Sequence, residues 1–230
     1  MVINQENSRE NSRGFPPIRG FPIYYKMRKL IYTFWTGDNE MSPLRKLALV
    51  GLIQNSHTPV VLVTPKNLHN YTDKPLHKSY QYLSDTHKAD YLRTHFMHYH
   101  GGGYSDIKQA TGSWLPYFDK LQASDRYICG YKEFPEFSKW TGGIIGNCAY
   151  ICKPNTEFTN EWYNSMISLL DTKYDMLKKH PGLHPQQPHN PEGYPIGWEE
   201  MLGDIFHRVC QNHKAKLMDE LPEVVAENYR

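Results

Sequence analysis

Apolar positions along the chain alternate between short continuous runs and longer periodic stretches, with Gly, Pro and polar residues between them. Residues 29–35, ending in Thr33, Phe34 and Trp35, are β-branched and aromatic and predict a strand. Ser42 and Pro43 follow as an N-cap with Pro at the first helical position. The helix is predicted to run through Leu44, Leu47, Ala48, Val50 and Leu52 to about Asn55. Residues 59–64 are continuously apolar, the pattern of a strand buried in a parallel sheet. A second helix is predicted from Asp85 to His100, stopped by Gly101, Gly102 and Gly103. Residues 127–131 and 144–151 read as two further strands, and Tyr104 to Ile107 as a short extended piece. Glu157 to Lys179 is a long amphipathic helix, 181–195 a Pro- and His-rich loop, and Glu199 to about Cys210 a last core helix.

Strand, helix, strand is a βαβ opening, and the whole pattern predicts one α/β domain. Its sheet is expected to be mixed, mainly parallel and flanked by helices. Residues 1–26, with Pro16, Pro17 and Pro22, read as a flexible leader, 27–215 as the domain and 216–230 as a polar C-terminal tail. In open α/β sheets, ligands bind beyond the C-terminal ends of the strands. That places Trp35, Thr36 and Asp38 beside a crevice.

Charge narrows the function classes. Lys plus Arg number 26 against 24 Asp plus Glu, a balance that argues against a nucleic-acid binder. No apolar run has the length of a transmembrane helix, so no stable membrane insertion is expected. The N-terminus lacks the apolar stretch of a signal peptide, and a cytoplasmic location is expected. Cys129, Cys148, Cys152 and Cys210 form no CxxC pair and read as free, mostly buried thiols. Aromatic residues make up 13% of the chain, a number that suits carbohydrate surfaces, cores and interfaces alike.

The chemistry concentrates between His87 and Lys108. Asp90 and Arg93 stand three apart and share one helix face. The glycines then allow positive φ or close backbone approach, and Tyr104 to Ile107 delivers the carboxylate of Asp106. His95, His98 and His100 read as a polar helix face, without the carboxylate partners of a metal cluster.

These residues resemble a known family. Lys88-Ala89-Asp90-Tyr91-Leu92-Arg93, followed by Tyr99-His100-Gly101-Gly102-Gly103-Tyr104-Ser105-Asp106-Ile107-Lys108, is similar to glycosyltransferases with a DXD sugar-binding region. These include capsular polysaccharide synthesis proteins and initiating mannosyltransferase relatives. Trp35 with Pro43, and the stretch from Tyr194 to His207, are similar as well, so the resemblance spans about residues 29–210. It implies a GT-A fold, Rossmann-like, over 27–215. It implies hexosyltransferase-like transfer of a sugar from a UDP- or GDP-sugar to a glycan hydroxyl.

Donor binding is expected at Trp35, Thr36, Asp90, Arg93, Gly102, Gly103, Tyr104, Asp106 and Lys108, with the roles of Asp90 and Arg93 implied by the resemblance. Acceptor binding is expected at Trp140, Tyr194 and Trp198, since little chain is left for a separate acceptor domain. Glu200 is the expected catalytic base and Asp106 the second catalytic residue. The leaving diphosphate needs its developing charge neutralised, which implies Mn²⁺ or Mg²⁺ on Asp106. One departure stands out: Lys108 occupies the place of the second motif Asp. Either His207 completes the metal site with Asp106, or the Lys108 ammonium supplies part of the cation's charge. Lys108 also leaves room for a nucleotide-sugar- or carbohydrate-binding protein without catalysis. A phosphohydrolase is disfavoured, since the chain has neither a P-loop nor a second carboxylate beside Asp106. A dehydrogenase is disfavoured because the glycines end a helix and do not open one.

Overall fold

The computed structural model describes residues 27–133, 144–182 and 192–225. Six strands form one sheet in the order β2-β1-β3-β5-β4-β6. They are β1 (Ile31–Phe34), β2 (Val60–Val63), β3 (Gly102–Ser105), β4 (Ile128–Lys132), β5 (Ile145–Cys152) and β6 (Leu217–Met218). β1 pairs in parallel with β2 and β3, and β4 with β6, while β5 runs antiparallel to both β3 and β4. The sheet is thus mixed and mainly parallel, as the sequence predicts. Five helices accompany it: α1 (Pro43–Ser56), α2 (Asp85–Tyr99), α3 (Leu115–Ala123), α4 (Glu157–Lys179) and α5 (Gly203–Asn212).

Strand pleating sorts side chains to two faces. Tyr32, Phe34, Tyr104, Ile128, Tyr150 and Cys152 enter a large core with residues of α2, α4 and α5. Their neighbours Ile31, Cys129, Ala149 and Ile151 enter a smaller core with Leu52 of α1 and Phe118 and Leu121 of α3. The large core is a chain of aromatic contacts, including Phe34 with Phe96, Tyr104 with Tyr150, and Trp162 with Phe206 at 4.8 Å. Eleven of the described Phe, Tyr and Trp side chains are buried in the two cores. The four thiols are free, and three of them are buried.

The helices begin where their caps allow. The Ser42 Oγ accepts from the Arg45 N–H, the Ser84 Oγ from the His87 N–H, and Thr156 forms a capping box with Thr159. α2 ends at Gly101, which has φ of +62°. A Cβ there would meet the ring of Pro154 and the Cys152 carbonyl, so only Gly turns the chain into β3.

Three expectations need correction, and the inner face of α1, which the pattern leaves open, is settled. β2 is an edge strand with Val60, Val61 and Leu62 only half-buried, because no strand among the described residues pairs beyond it. Leu44, Leu47 and Val50 of α1 are exposed; the buried residues are Ala48, Leu52 and Ser56. That helix is apolar on most sides, so periodicity could not choose its inner face. The last helix starts at Gly203, after a turn, and not at Glu199. Residues 217–225 are no tail. Leu217 and Met218 add β6 beside β4, Leu221 is buried, and Val224 bridges Ala110. A two-residue strand is too short to leave a periodic signal. α3, which the pattern leaves unassigned, fills the second face. Residues 1–26 lie outside the described residues. Among those described, no helix is long and apolar enough to cross a membrane.

Candidate active site

β1 and β3 are parallel neighbours, so their C-terminal ends open on the same edge of the sheet, where antiparallel β5 begins. Asp106 follows β3 directly, and its N–H donates to the Cys148 carbonyl of β5 at 2.8 Å. A tight turn returns the Lys108 N–H to the Asp106 carbonyl at 2.7 Å. α2 lies against β1 and β3. Asp90 and Arg93, on one face of that helix, are both buried.

Four charged side chains meet there. Arg93 Nη2 lies 3.1 Å from Asp90 Oδ1 and 3.2 Å from Asp106 Oδ1. Arg93 Nη1 donates to the Asn147 carbonyl at 3.0 Å, and the guanidinium stacks 4.3 Å over the Tyr104 ring. The Tyr104 hydroxyl donates to Asp106 Oδ1 at 2.6 Å. Lys108 Nζ lies 3.3 Å from Asp106 Oδ2 and 3.1 Å from Cys148 Sγ. Side-chain exposure is 8% for Arg93, 6% for Asp90 and 8% for Lys108, but 24% for Asp106. Asp106 is the member that reaches outward.

Two cations and two anions balance, which is what makes their burial tolerable. Burial pushes the Asp90 carboxyl above its ordinary value, and the Arg93 charge only partly opposes this. Burial acts on Asp106 in the same direction, but Arg93 and Lys108 outweigh it and hold that carboxyl below the usual range. Asp106 is therefore an anion at neutral pH. Lys108 and the buried setting push the Cys148 thiol in opposite directions; burial wins, raising it to about 11.

The donor set does not fit a divalent ion. Both Asp106 oxygens are already engaged, by Arg93 and Tyr104 on one side and by Lys108 on the other. A doubly charged ion about 4 Å from the Lys108 ammonium would be repelled by roughly 8 kcal/mol at an effective dielectric of about 20. Among the described residues no three His, Cys, Asp or Glu side chains form a group that could hold a metal ion. His207 is buried on α5 beside Phe206 and joins no such group. The expected Asp106–His207 metal site is not supported by this geometry.

Other expected donor residues serve the fold. Gly102 and Gly103 are buried in β3, and a Cβ on either would crowd the Leu30 carbonyl just before β1. Their smallness lets β3 approach β1, not a ligand. Tyr104 is 2% exposed and acts through Asp106 and Arg93. Thr36 Oγ1 donates to the Asp85 carbonyl at 2.6 Å, tying the β1 end to the start of α2. Trp35 Nε1 donates to the Asn39 carbonyl at 2.7 Å, leaving the ring half-buried at the same edge.

The late segment reaches α2 through His87. Tyr194 stacks on the His87 ring, its hydroxyl lies 2.8 Å from His87 Nδ1, and it accepts from the Ser84 N–H at 3.2 Å. Tyr194 thus fastens the segment and has little left to offer an acceptor. Glu200 is likewise a fastener: one oxygen accepts from the Gly197 N–H at 2.9 Å, the other pairs with Lys173 at 3.1 Å. This geometry gives no support to Glu200 as a base. Trp198, by contrast, is 67% exposed. Burial lowers His87, while the Asp90 and Glu200 charges both pull it back up, so His87 stands between the two regions. Trp140 lies outside the described residues.

Sequence reasoning missed several residues. His87 carried only the signal of its place in the first turn of α2. Arg45 donates from Nη1 to the Ile107 carbonyl at 3.2 Å, bringing another guanidinium to the Asp106–Lys108 turn. Tyr150 is fully buried, with a hydroxyl that has no hydrogen-bond partner among the described residues. Its ring lies 5.3 Å from that of Tyr104, and only the β3–β5 register could have placed it there. His95 is 0% exposed, and His98 stacks on Tyr163 at 4.5 Å, so these histidines are aromatic packing and not a polar face.

No protein-family model matches the chain, and no curated protein matches it in sequence. Among solved structures it is similar to the PaToxG glycosyltransferase, at 14% identity and a TM-score of 0.45. That likeness covers 81% of this chain and 74% of the other. It is also similar to the apo-form glycosyltransferase GlyE of Streptococcus pneumoniae TIGR4, at 12% identity and a TM-score of 0.41. Here 81% of this chain matches 44% of that one, so the chain spans less than half of GlyE. At this level of likeness, the activity has to be argued from the chain's own residues.

Proposed function

We propose that the chain is a glycosyltransferase of GT-A type, which moves a sugar from a nucleoside-diphosphate sugar to a hydroxyl of a glycan or similar acceptor. One observation carries this reading. Asp106, an anion held by Arg93, Tyr104 and Lys108, projects at the shared C-terminal edge of β1 and β3, where α/β sheets receive ligands. A carboxylate fixed by its neighbours is a preorganised acceptor for sugar hydroxyls, and the adjacent cations suit a phosphate. The exposed Trp198 ring offers a face on which a sugar can stack. The half-buried Trp35 at the edge offers the same to a base.

The test is release of diphosphate from a panel of UDP- and GDP-sugars, with Asp106→Asn beside the wild type. Transfer or slow hydrolysis with one donor, falling at least a hundredfold in Asp106→Asn, is expected. No turnover of any donor would sink the transferase reading. Lys108 in place of a carboxylate favours one alternative, a nucleotide-sugar-binding protein without catalysis. That alternative requires donor-induced thermal stabilisation with no free diphosphate.

A further inference from the structure

We infer that the Lys108 ammonium takes the place of the divalent cation and itself carries the charge of the leaving diphosphate. The inference rests on the transferase reading above. Lys108 follows Asp106 by two residues, and its Nζ sits 3.3 Å from the Asp106 oxygen that Arg93 and Tyr104 leave to it. Asp106 is the carboxylate that the resemblance gives to a metal, and Lys108 already sets a positive charge against it. Cys148 Sγ at 3.1 Å and the turn from Asp106 to Lys108 fix the ammonium from behind. Arg45, hydrogen-bonded to the carbonyl between Asp106 and Lys108, brings a second positive charge to the same turn.

The chemistry balances without a metal. The bond from the sugar C1 to the diphosphate oxygen breaks, and its electron pair goes to that oxygen. The acceptor oxygen forms the new bond to C1, and the acceptor proton passes to water. An ammonium has three N–H donors on a flexible stem. Lys108 can therefore exchange one contact for a phosphate oxygen while keeping its hold on Asp106. The developing charge is met in a setting largely closed to water, where such pairing is strongest.

UDP and GDP binding by calorimetry, with EDTA and with Mn²⁺, tests this directly on the wild type, Lys108→Gln, Lys108→Arg and Lys108→Asp. Wild-type nucleotide affinity is expected to be the same in EDTA and in Mn²⁺. Lys108→Gln should lose more than tenfold, and Lys108→Arg, which keeps a cation, should lose less than Lys108→Gln. Lys108→Asp should bind Mn²⁺ in the absence of any nucleotide, seen by paramagnetic resonance, where the wild type does not. Circular dichroism confirms that each variant is folded, and Lys108→Arg carries the test if Lys108→Gln is not. EDTA-sensitive binding by the wild type, or undiminished binding by Lys108→Gln, would overturn the inference alone. Failure to bind either nucleotide would overturn the transferase reading and the inference with it.

Discussion

The charged cluster at the end of β3 and the late segment from Tyr194 to Glu200 are built in opposite ways. In the cluster, Arg93 alone touches Asp90, Asp106, the Asn147 carbonyl and the Tyr104 ring. Every one of those partners sits on a strand or helix, or one residue beyond it. The late segment has no strand or helix of its own. Its ties include the Tyr194 contacts with His87 and Ser84, the buried Ile196, and Glu200 with Lys173, whose Nζ also donates to the Pro195 carbonyl at 3.0 Å. The late segment presents Trp198 from a stretch without regular structure. On the proposed reading, this contrast sets a more rigid donor side against a more adaptable acceptor side, because sites on helices and strands are held more precisely than sites on loops.

The largest effect expected breaks the rigid half. Arg93→Ala leaves two buried carboxylates without their shared cation and should cost about 3–5 kcal/mol in urea unfolding. A loss below about 1 kcal/mol would mean that the cluster is solvated and not structural.

Acid should separate the two regions next. Burial pushes His95 down to about 4, against 6.5 when unfolded, and lowers His98 and His100 as well. Above pH 6.5 these rings are neutral in both states and contribute no pH dependence. Between pH 6.5 and about 4 the unfolded chain takes up protons that the folded one refuses, so stability falls, by roughly 3 kcal/mol for His95 alone. Asp106, held low, adds its loss only at still lower pH, below the ordinary carboxylate value. Hydrogen exchange should show α2 opening first as pH drops. A flat stability profile from pH 7 to 5 would contradict this.

Smaller changes probe the adaptable half. Tyr194→Phe removes a hydroxyl with two partners and should cost about 1–2 kcal/mol. It should raise the acceptor KM with the donor KM unchanged; a matching rise in donor KM would merge the two regions into one unit. Trp198→Ala should move stability by less than about 0.5 kcal/mol, since the ring is exposed. Its whole effect should appear as weaker acceptor binding, and unchanged acceptor KM would remove Trp198 from the site.

How much was legible follows from where each signal lives. Ser42-Pro43, Ser84 and Gly101 act within one turn of chain, so capping and termination could be read locally. Asp90 and Arg93 could be paired by helical spacing, and Asp106 by its place after a strand. Tyr150, Cys148 and Asn147 join the same cluster from more than forty residues downstream. Only the antiparallel pairing of β3 with β5 brings them there. The glycines misled because the sequence shows that a side chain is missing, not what occupies the space. Glu200 and Tyr194 misled for the same reason: a polar residue near a motif looks free until its partners are placed.

The sequence by itself determined the βαβ opening, the limits of most helices, and the order Asp90, Arg93, Asp106, Lys108. Those depend on local sterics, capping and pattern. Tertiary structure decided which face of α1 is buried, that residues 217–225 complete the sheet, and that Lys108 pairs with Asp106. Each of these depends on groups distant in the chain competing for one position, and such competition is resolved by packing and charge balance.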